Sequence, residues 1–294
     1  MEYSLFSRNL RYYRKYNGLT QNQLGLLSRL GQVSIANYEA GRRFPNEKNL
    51  SVLAKVLNIE VSTFFTDRNI DIQQNNLSAF SIDGFIKVLI HETIDSCFEY
   101  IVSWKESLKY SLQKTYNNIL ISTLREVGNR WEKNELLIAE EHIISEKIRS
   151  LIILLSNKER SLKLTPVRKD LVWLGFAAPG EQHYLVLLMF AEIARNNGWE
   201  VFFVGKDIPV HDLIKALMVY KPKVVFVSIQ MEELQEKLTN YLNEIDFKLK
   251  NKPLIYVGGR GCHTEYAKTV NCVDGFIKTF NQGCKILINV EEKL

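Results

Sequence analysis

From about residue 168 onward, short apolar runs alternate with helical stretches. The runs are LVWLGF (171–176), WEVFFVG (199–205), KVVFVSI (223–229), PLIYVGG (253–259) and VDGFIK (273–278). Between them lie YLVLLMFAEIARNNG, VHDLIKALMVYK and EELQEKLTNYLNEIDFKL, and GCKILINV follows the last. A strand that is apolar at nearly every position is buried on both faces, and the intervening helices supply the cover. The pattern therefore predicts a doubly wound, flavodoxin-like α/β domain with a five-stranded parallel sheet over 168–294. Sheets of this kind bind ligands at the carboxyl ends of their strands.

The rest of the chain is helical in pattern. Residues 1–66 read as short helices. Thr20 and Gln23 form a capping-box spacing before QNQLGLL, and Gly41 closes GQVSIANYEAG. Residues 67–82, DRNIDIQQNNLSAFSI, are polar and amide-rich and are expected to be a linker. Residues 83–163 predict a helical bundle, and LTPVRKD (164–170) marks its end. A chain of 294 residues has room for such a multidomain plan. No run of about 18 apolar residues and no basic start followed by an apolar stretch is present, so a soluble, cytoplasmic protein is expected. The four cysteines (Cys97, Cys262, Cys272, Cys284) form no CxxC pair, which argues against a disulfide framework or a thiolate zinc site.

The net charge of +5 resides in one place. Residues 1–66 carry nine basic side chains against four acidic ones, and the remainder of the chain balances. Such a footprint suits phosphate binding, although charge alone also fits a solvated basic face. Within this segment LTQNQLGLLSRLGQVSIANYEAGRRFP resembles the Cro/CI-type (XRE) helix-turn-helix family, with Leu24, Leu30 and Ile35 at its apolar positions. The resemblance implies a helix that enters the major groove of double-stranded operator DNA. Gln32, Val33, Ser34 and Asn37 then face the bases, Gln21 donates to a phosphate, and Arg42 and Arg43 anchor the backbone. Gly31 stands where the family often has a serine cap. A helical hairpin used for protein contact is the bland alternative.

A second constellation lies in the α/β segment. Glu181-Gln182-His183 follows the first apolar run, Ser228 ends the third, and Gly258-Gly259 ends the fourth, so all three reach one edge of the sheet. Alone, His183 reads as a cap or structural residue and the glycine pair as a turn. Together, with 41 residues between position 186 and Ser228 and 27 from 231 to 257, they resemble the base-off, His-on cobalamin-binding domain of methionine synthase, corrinoid carriers and some regulators. The resemblance implies that His183 ligates cobalt on the lower face. Glu181 fixes its tautomer. Ser228, Gly258 and Gly259 line a slot for the nucleotide tail. Val186 stands at the usual glycine position, where it crowds the site, and Gln230 stands at the usual Leu or Thr.

In the helical segment Trp131, nine residues, then Glu141-His142 is similar to the cap of CarH-type, B12-dependent, light-sensing regulators. The resemblance implies that Trp131 covers the upper ligand, adenosyl in adenosylcobalamin, and that Glu141 and His142 approach it. Those regulators carry a MerR-type DNA-binding domain where this chain has a Cro/CI-type one. Some also have a histidine directly after the tryptophan, where Glu132 stands here.

The expectation is therefore a multidomain chain: an all-α helix-turn-helix (1–66), a linker (67–82), an α-helical bundle cap (83–163) and the flavodoxin-like cobalamin-binding domain (168–294). It is expected to be a cobalamin-controlled, homo-oligomeric transcription regulator (dimer or tetramer) and not an enzyme. Its cofactor is adenosylcobalamin with cobalt held by His183. Two other readings stay open. One is a regulator whose B12-like domain only mediates protein contact, kept alive by Val186. The other is a corrinoid carrier for methyl transfer, disfavoured by the DNA-reading segment.

Overall fold

The computed structural model describes residues 2–17, 19–57, 59–65, 81–163, 165–262, 266, 270 and 272–292. The chain divides into two compact units, residues 1–79 and 80–294.

The first unit contains α1 (Glu2–Tyr16), α2 (Gln21–Leu27), α3 (Gln32–Glu39), α4 (Glu47–Leu57) and a 3-10 turn (Val61–Phe64). The capping box forms as its spacing predicts. The Gln23 N–H donates to Thr20 Oγ1 at 3.1 Å, and the Thr20 N–H donates to Gln23 Oε1 at 2.7 Å. Helices α2 and α3 approach so closely that a Cβ on Gly25 would lie 2.6 Å from the Gln32 nitrogen, so only glycine fits there. Phe6, Leu10, Leu24, Ile35, Leu53 and Phe64 are fully buried between the helices, and Leu30 packs partly buried against them. One carboxylate shares this interior. Glu39 accepts Arg14 Nε at 2.5 Å, Arg14 Nη2 at 3.1 Å and Gln21 Nε2 at 2.9 Å, with Arg11 3.6 Å away. It ties α1, α2 and α3 together. Residues 67–80 of the expected linker lie outside the described residues.

The second unit begins with α5 (Ile82–His91), capped by Ser81, then α6 (Ile94–Ser107) and α7 (Leu112–Thr115). A π turn (Tyr116–Leu120), α8 (Ile121–Glu132) and α9 (Ile138–Lys163) follow. Strands and helices then alternate: β1 (Arg168–Ala177), α10 (Leu185–Asn196), β2 (Trp199–Gly205), α11 (Val210–Tyr220), β3 (Val224–Ser228), α12 (Gln235–Lys248), β4 (Leu254–Gly258), β5 (Gly275–Ile277) and α13 (Phe280–Glu292). The sheet order is β2-β1-β3-β4-β5, every pair parallel, which is the expected flavodoxin-like arrangement. Side chains alternate across β1. Leu171 and Trp173 face α10 and α13, whereas Leu174 and Phe176 face α11 and α12.

The helices of 82–163 do not form a core of their own. Ile148, Leu151, Ile152 and Leu155 of α9 belong to the same buried cluster as Trp173, Leu187 and Phe190. The 164–170 segment thus marks a change of element inside one unit. A buried polar knot pins α9 to α10. Ser156 Oγ donates to Glu192 Oε2 at 2.5 Å, Asn196 Nδ2 donates to Ser156 Oγ at 2.6 Å, and Arg160 Nη1 reaches Glu192 at 3.2 Å. Arg195 also pairs with Glu192. Among the described residues no helix is long and apolar enough to cross a membrane.

Removing one partner of a buried ion pair strands the other at a cost of about 3–5 kcal/mol. Glu39→Ala is therefore expected to lower hydrogen-exchange protection of α1–α3 by roughly a hundredfold or more while leaving the amides of the sheet unchanged. Equal protection in variant and parent would show that the Glu39 cluster does not hold the unit.

Candidate functional site

In the first unit, α3 presents two distinct sides. Ile35 and Tyr38 face the core, Gln32 and Val33 are exposed (Val33 at 74%), and Ser34 and Asn37 are half-buried between them. The Asn37 carbonyl accepts the backbone N–H groups of Arg42 at 3.0 Å and Arg43 at 3.3 Å. That turn holds both exposed arginines at the end of α3. Gln21 is committed inward through one N–H on Glu39, which leaves the second N–H of the same amide for another acceptor.

In the second unit, the loops after β1, β3 and β4 meet at the sheet edge, where the strand order reverses between β1 and β3. The structure brings Glu181, His183, Ser228, Gly258 and Gly259 together there. Glu181 is fully buried. Its Oε1 accepts the His183 N–H at 2.8 Å and His183 Nδ1 at 2.6 Å. Its Oε2 accepts the N–H groups of Gln230 at 2.6 Å and Met231 at 3.1 Å. Burial pushes this carboxyl up, but the hydrogen bonds from His183, Gln230 and Met231 outweigh it and bring its pKa down to about 2. Its contribution to stability is therefore complete above its ordinary value of 4.5 and is lost as pH falls towards about 2.

His183 is raised from its ordinary value, first by the hydrogen bond to Glu181, against some burial. Glu141 raises it further and Arg260 lowers it, so the start of α9 lies within electrostatic reach of the ring. With Nδ1 held by Glu181 and the side chain 63% exposed, Nε2 is the nitrogen left to bind a metal. No group of three or more potential metal-ligating side chains exists among the described residues. One oriented imidazole suits a metal carried in by its own macrocycle, and the donor chemistry fits a corrinoid.

The remaining site residues are placed more loosely. Trp131 is the penultimate residue of α8, 49% exposed. Glu141 lies in the first turn of α9, and His142 directly follows it. Glu141 Oε1 accepts Ser145 Oγ at 2.7 Å, and the exposed His142 ring lies 3.5 Å from Glu141 Oε2. Ser228 Oγ donates to the His183 carbonyl at 3.3 Å. Gly258 and Gly259 are explained by chain packing. A Cβ on Gly258 would meet Ile277 Cβ at 3.0 Å, and one on Gly259, at φ 129°, would meet the Ile229 carbonyl oxygen at 1.9 Å.

Three contributors were not anticipated from sequence. The backbone N–H of Met231 grips Glu181. Gln230 Oε1 accepts the Arg260 N–H at 3.1 Å and stitches the β3 exit to the β4 exit. Lys206, at the β2 exit, pairs with Gln182 and lies 5.9 Å from the Tyr184 ring centroid. Gln230 was visible as a departure from the family pattern. The Met231 contact depends on backbone direction, which has no side-chain signature.

Residues 10–64 match the family described as Helix-turn-helix, and residues 84–155 match the family described as B12 binding domain. Over 154 residues the chain is 27% identical to the HTH-type transcriptional repressor CarH of Myxococcus xanthus, covering 52% of this chain. The chain spans about half the length of that curated relative, 50% of it. Among solved structures, the monomethylamine corrinoid protein of Methanosarcina barkeri superposes with a TM-score of 0.58 at 12% identity, over 70% of this chain and 96% of that one. The fold of the second unit is that of a corrinoid protein.

Glu181→Gln removes the charge that favours the His183 imidazolium. The pKa of His183 is then expected to fall towards 6.5 in an NMR titration of the ring protons. An unmoved titration curve would sever the proposed link between the two side chains.

Proposed function

We propose that this chain, which joins a helix-turn-helix segment to a B12 binding segment, is a CarH-type transcriptional regulator controlled by cobalamin. The observation that carries the reading is the Glu181–His183 pair at the switch point of a corrinoid-protein fold, preceded in the same chain by a basic DNA-reading unit. When bound, cobalamin would supply a cobalt able to take an imidazole nitrogen as ligand and, in its adenosyl form, a light-labile cobalt–carbon bond.

The chain's own residues do the rest. Glu181 holds His183 in the Nδ1–H tautomer and leaves Nε2 as the ligand. Trp131 and the Glu141-His142 pair would cover the bound group from the helical cap. Glu132, following Trp131, is a carboxylate, a poorer partner for cobalt(III) than imidazole. Occupancy changes how α8 and α9 sit against the sheet edge and thereby the assembly of copies. Two linked DNA-reading units bind paired half-sites far more tightly than one, so assembly sets operator affinity. The ligand shifts this equilibrium by its difference in affinity between the two assemblies.

On the DNA side, Gln32, Val33, Ser34 and Asn37 read base edges while Arg42 and Arg43 contact phosphates. Arg42→Ala is expected to weaken binding to all sequences alike and to lower the magnitude of the salt slope by about one. Gln32→Ala should reduce discrimination between operator and random DNA with the slope intact. The reverse assignment of effects would refute this division of labour.

On the cofactor side, the parent protein mixed with adenosylcobalamin and desalted should retain a corrinoid absorbance spectrum that illumination alters. His183→Ala should lose the corrinoid or shift its spectrum. A parent protein that emerges colourless would leave only a DNA-binding protein with a B12-like fold used for contact.

A further inference from the structure

Resting on the corrinoid reading of the His183 site, the packing around that site makes a separate statement about which corrinoids it takes. The slot expected for the nucleotide tail runs from Ser228 past the glycine pair. Along that path the chain packs against itself. The Ile229 N–H donates to the Gly258 carbonyl at 2.9 Å, and the Gly259 Cα abuts the Ile229 carbonyl so tightly that no Cβ fits. Gly258 lies against Ile277. Ile277 in turn meets Gly283 of α13, where a Cβ would be 3.2 Å from Ile277 Cγ2 and 2.5 Å from the Phe190 ring.

Phe190 completes the seal. Its ring stacks on Phe280 with centroids 4.7 Å apart and meets Phe226 edge-on at 5.2 Å. Phe190, Phe226, Ile277 and Phe280 are all buried. Val186 stands four residues before Phe190 and hence on the same face of α10, where it packs partly buried into the same core. A side chain at 186 adds to the packing on that face of α10, which a glycine would not. In a densely packed interior such a wall does not yield to an aromatic base without displacing one of its own rings.

We propose that this site recognises a corrinoid by its ring and its cobalt alone, with no place for the nucleotide tail, so that tail-less cobinamides bind as readily as cobalamin. Glu181 and His183 supply the oriented ligand for either compound. In cobalamin the displaced tail stays outside the sheet edge.

The test is an absorbance titration of the full chain with aquocobalamin and, separately, diaquocobinamide, followed by competition of one against the other. The expected result is a cobinamide Kd equal to or lower than that of cobalamin, within about threefold at most on the weak side. A cobalamin Kd lower than that of cobinamide by more than this margin overturns the closed slot while leaving the corrinoid reading intact. If neither compound binds, the corrinoid reading fails and this inference falls with it.

Discussion

The second unit depends on one buried carboxylate. Glu181 lies fully enclosed where β1 gives way to α10, and it gathers four hydrogen bonds from two different loops. A charge in that position is tolerable only because every one of those donors points at it. The arrangement fixes the His183 ring, the course of the β3 exit and the spacing between them in a single act. What reads as a ligand-orienting side chain is at the same time the brace of the sheet edge. Loss of the charge would release the His183 ring and the β3 exit together.

Much of this was legible in the order of residues. The alternation of apolar runs and helical stretches identified the sheet, because strands covered on both faces leave little choice of architecture. The capping box at Thr20 and the helix stop at Gly41 announced themselves through local chemistry. The trio at Glu181-His183, Ser228 and Gly258-Gly259 could be assembled because strand ends of a parallel sheet share one edge. Local signals did not carry the long-range packing. LTPVRKD looks like a domain border, yet Leu151 and Leu155 of α9 share a core with Trp173 and Phe190. Polarity marks where a turn is, not whether the elements it joins bury the same surface.

The glycine pair shows the same boundary between pattern and packing. Small residues at a strand end admit either a ligand or a neighbouring backbone, and spacing does not distinguish them. Here Gly259 meets the Ile229 carbonyl and Gly258 meets Ile277, so the chain itself fills the room that the missing side chains leave. Gln230 bonding to the Arg260 N–H draws the same two loops together.

The knot between α9 and α10 has a mechanical consequence. Ser156 and Arg160 of α9 bond to Asn196 and Glu192 of α10, so three hydrogen bonds cross between the two helices. A small slide of one helix along the other would strip Glu192 Oε2 of both its α9 partners while Arg195 of the same helix keeps Oε1, and the penalty rises at once instead of gradually. The helical cap therefore behaves as a latch. It stays seated against modest forces and, once displaced far enough for water to reach Glu192, lets go completely.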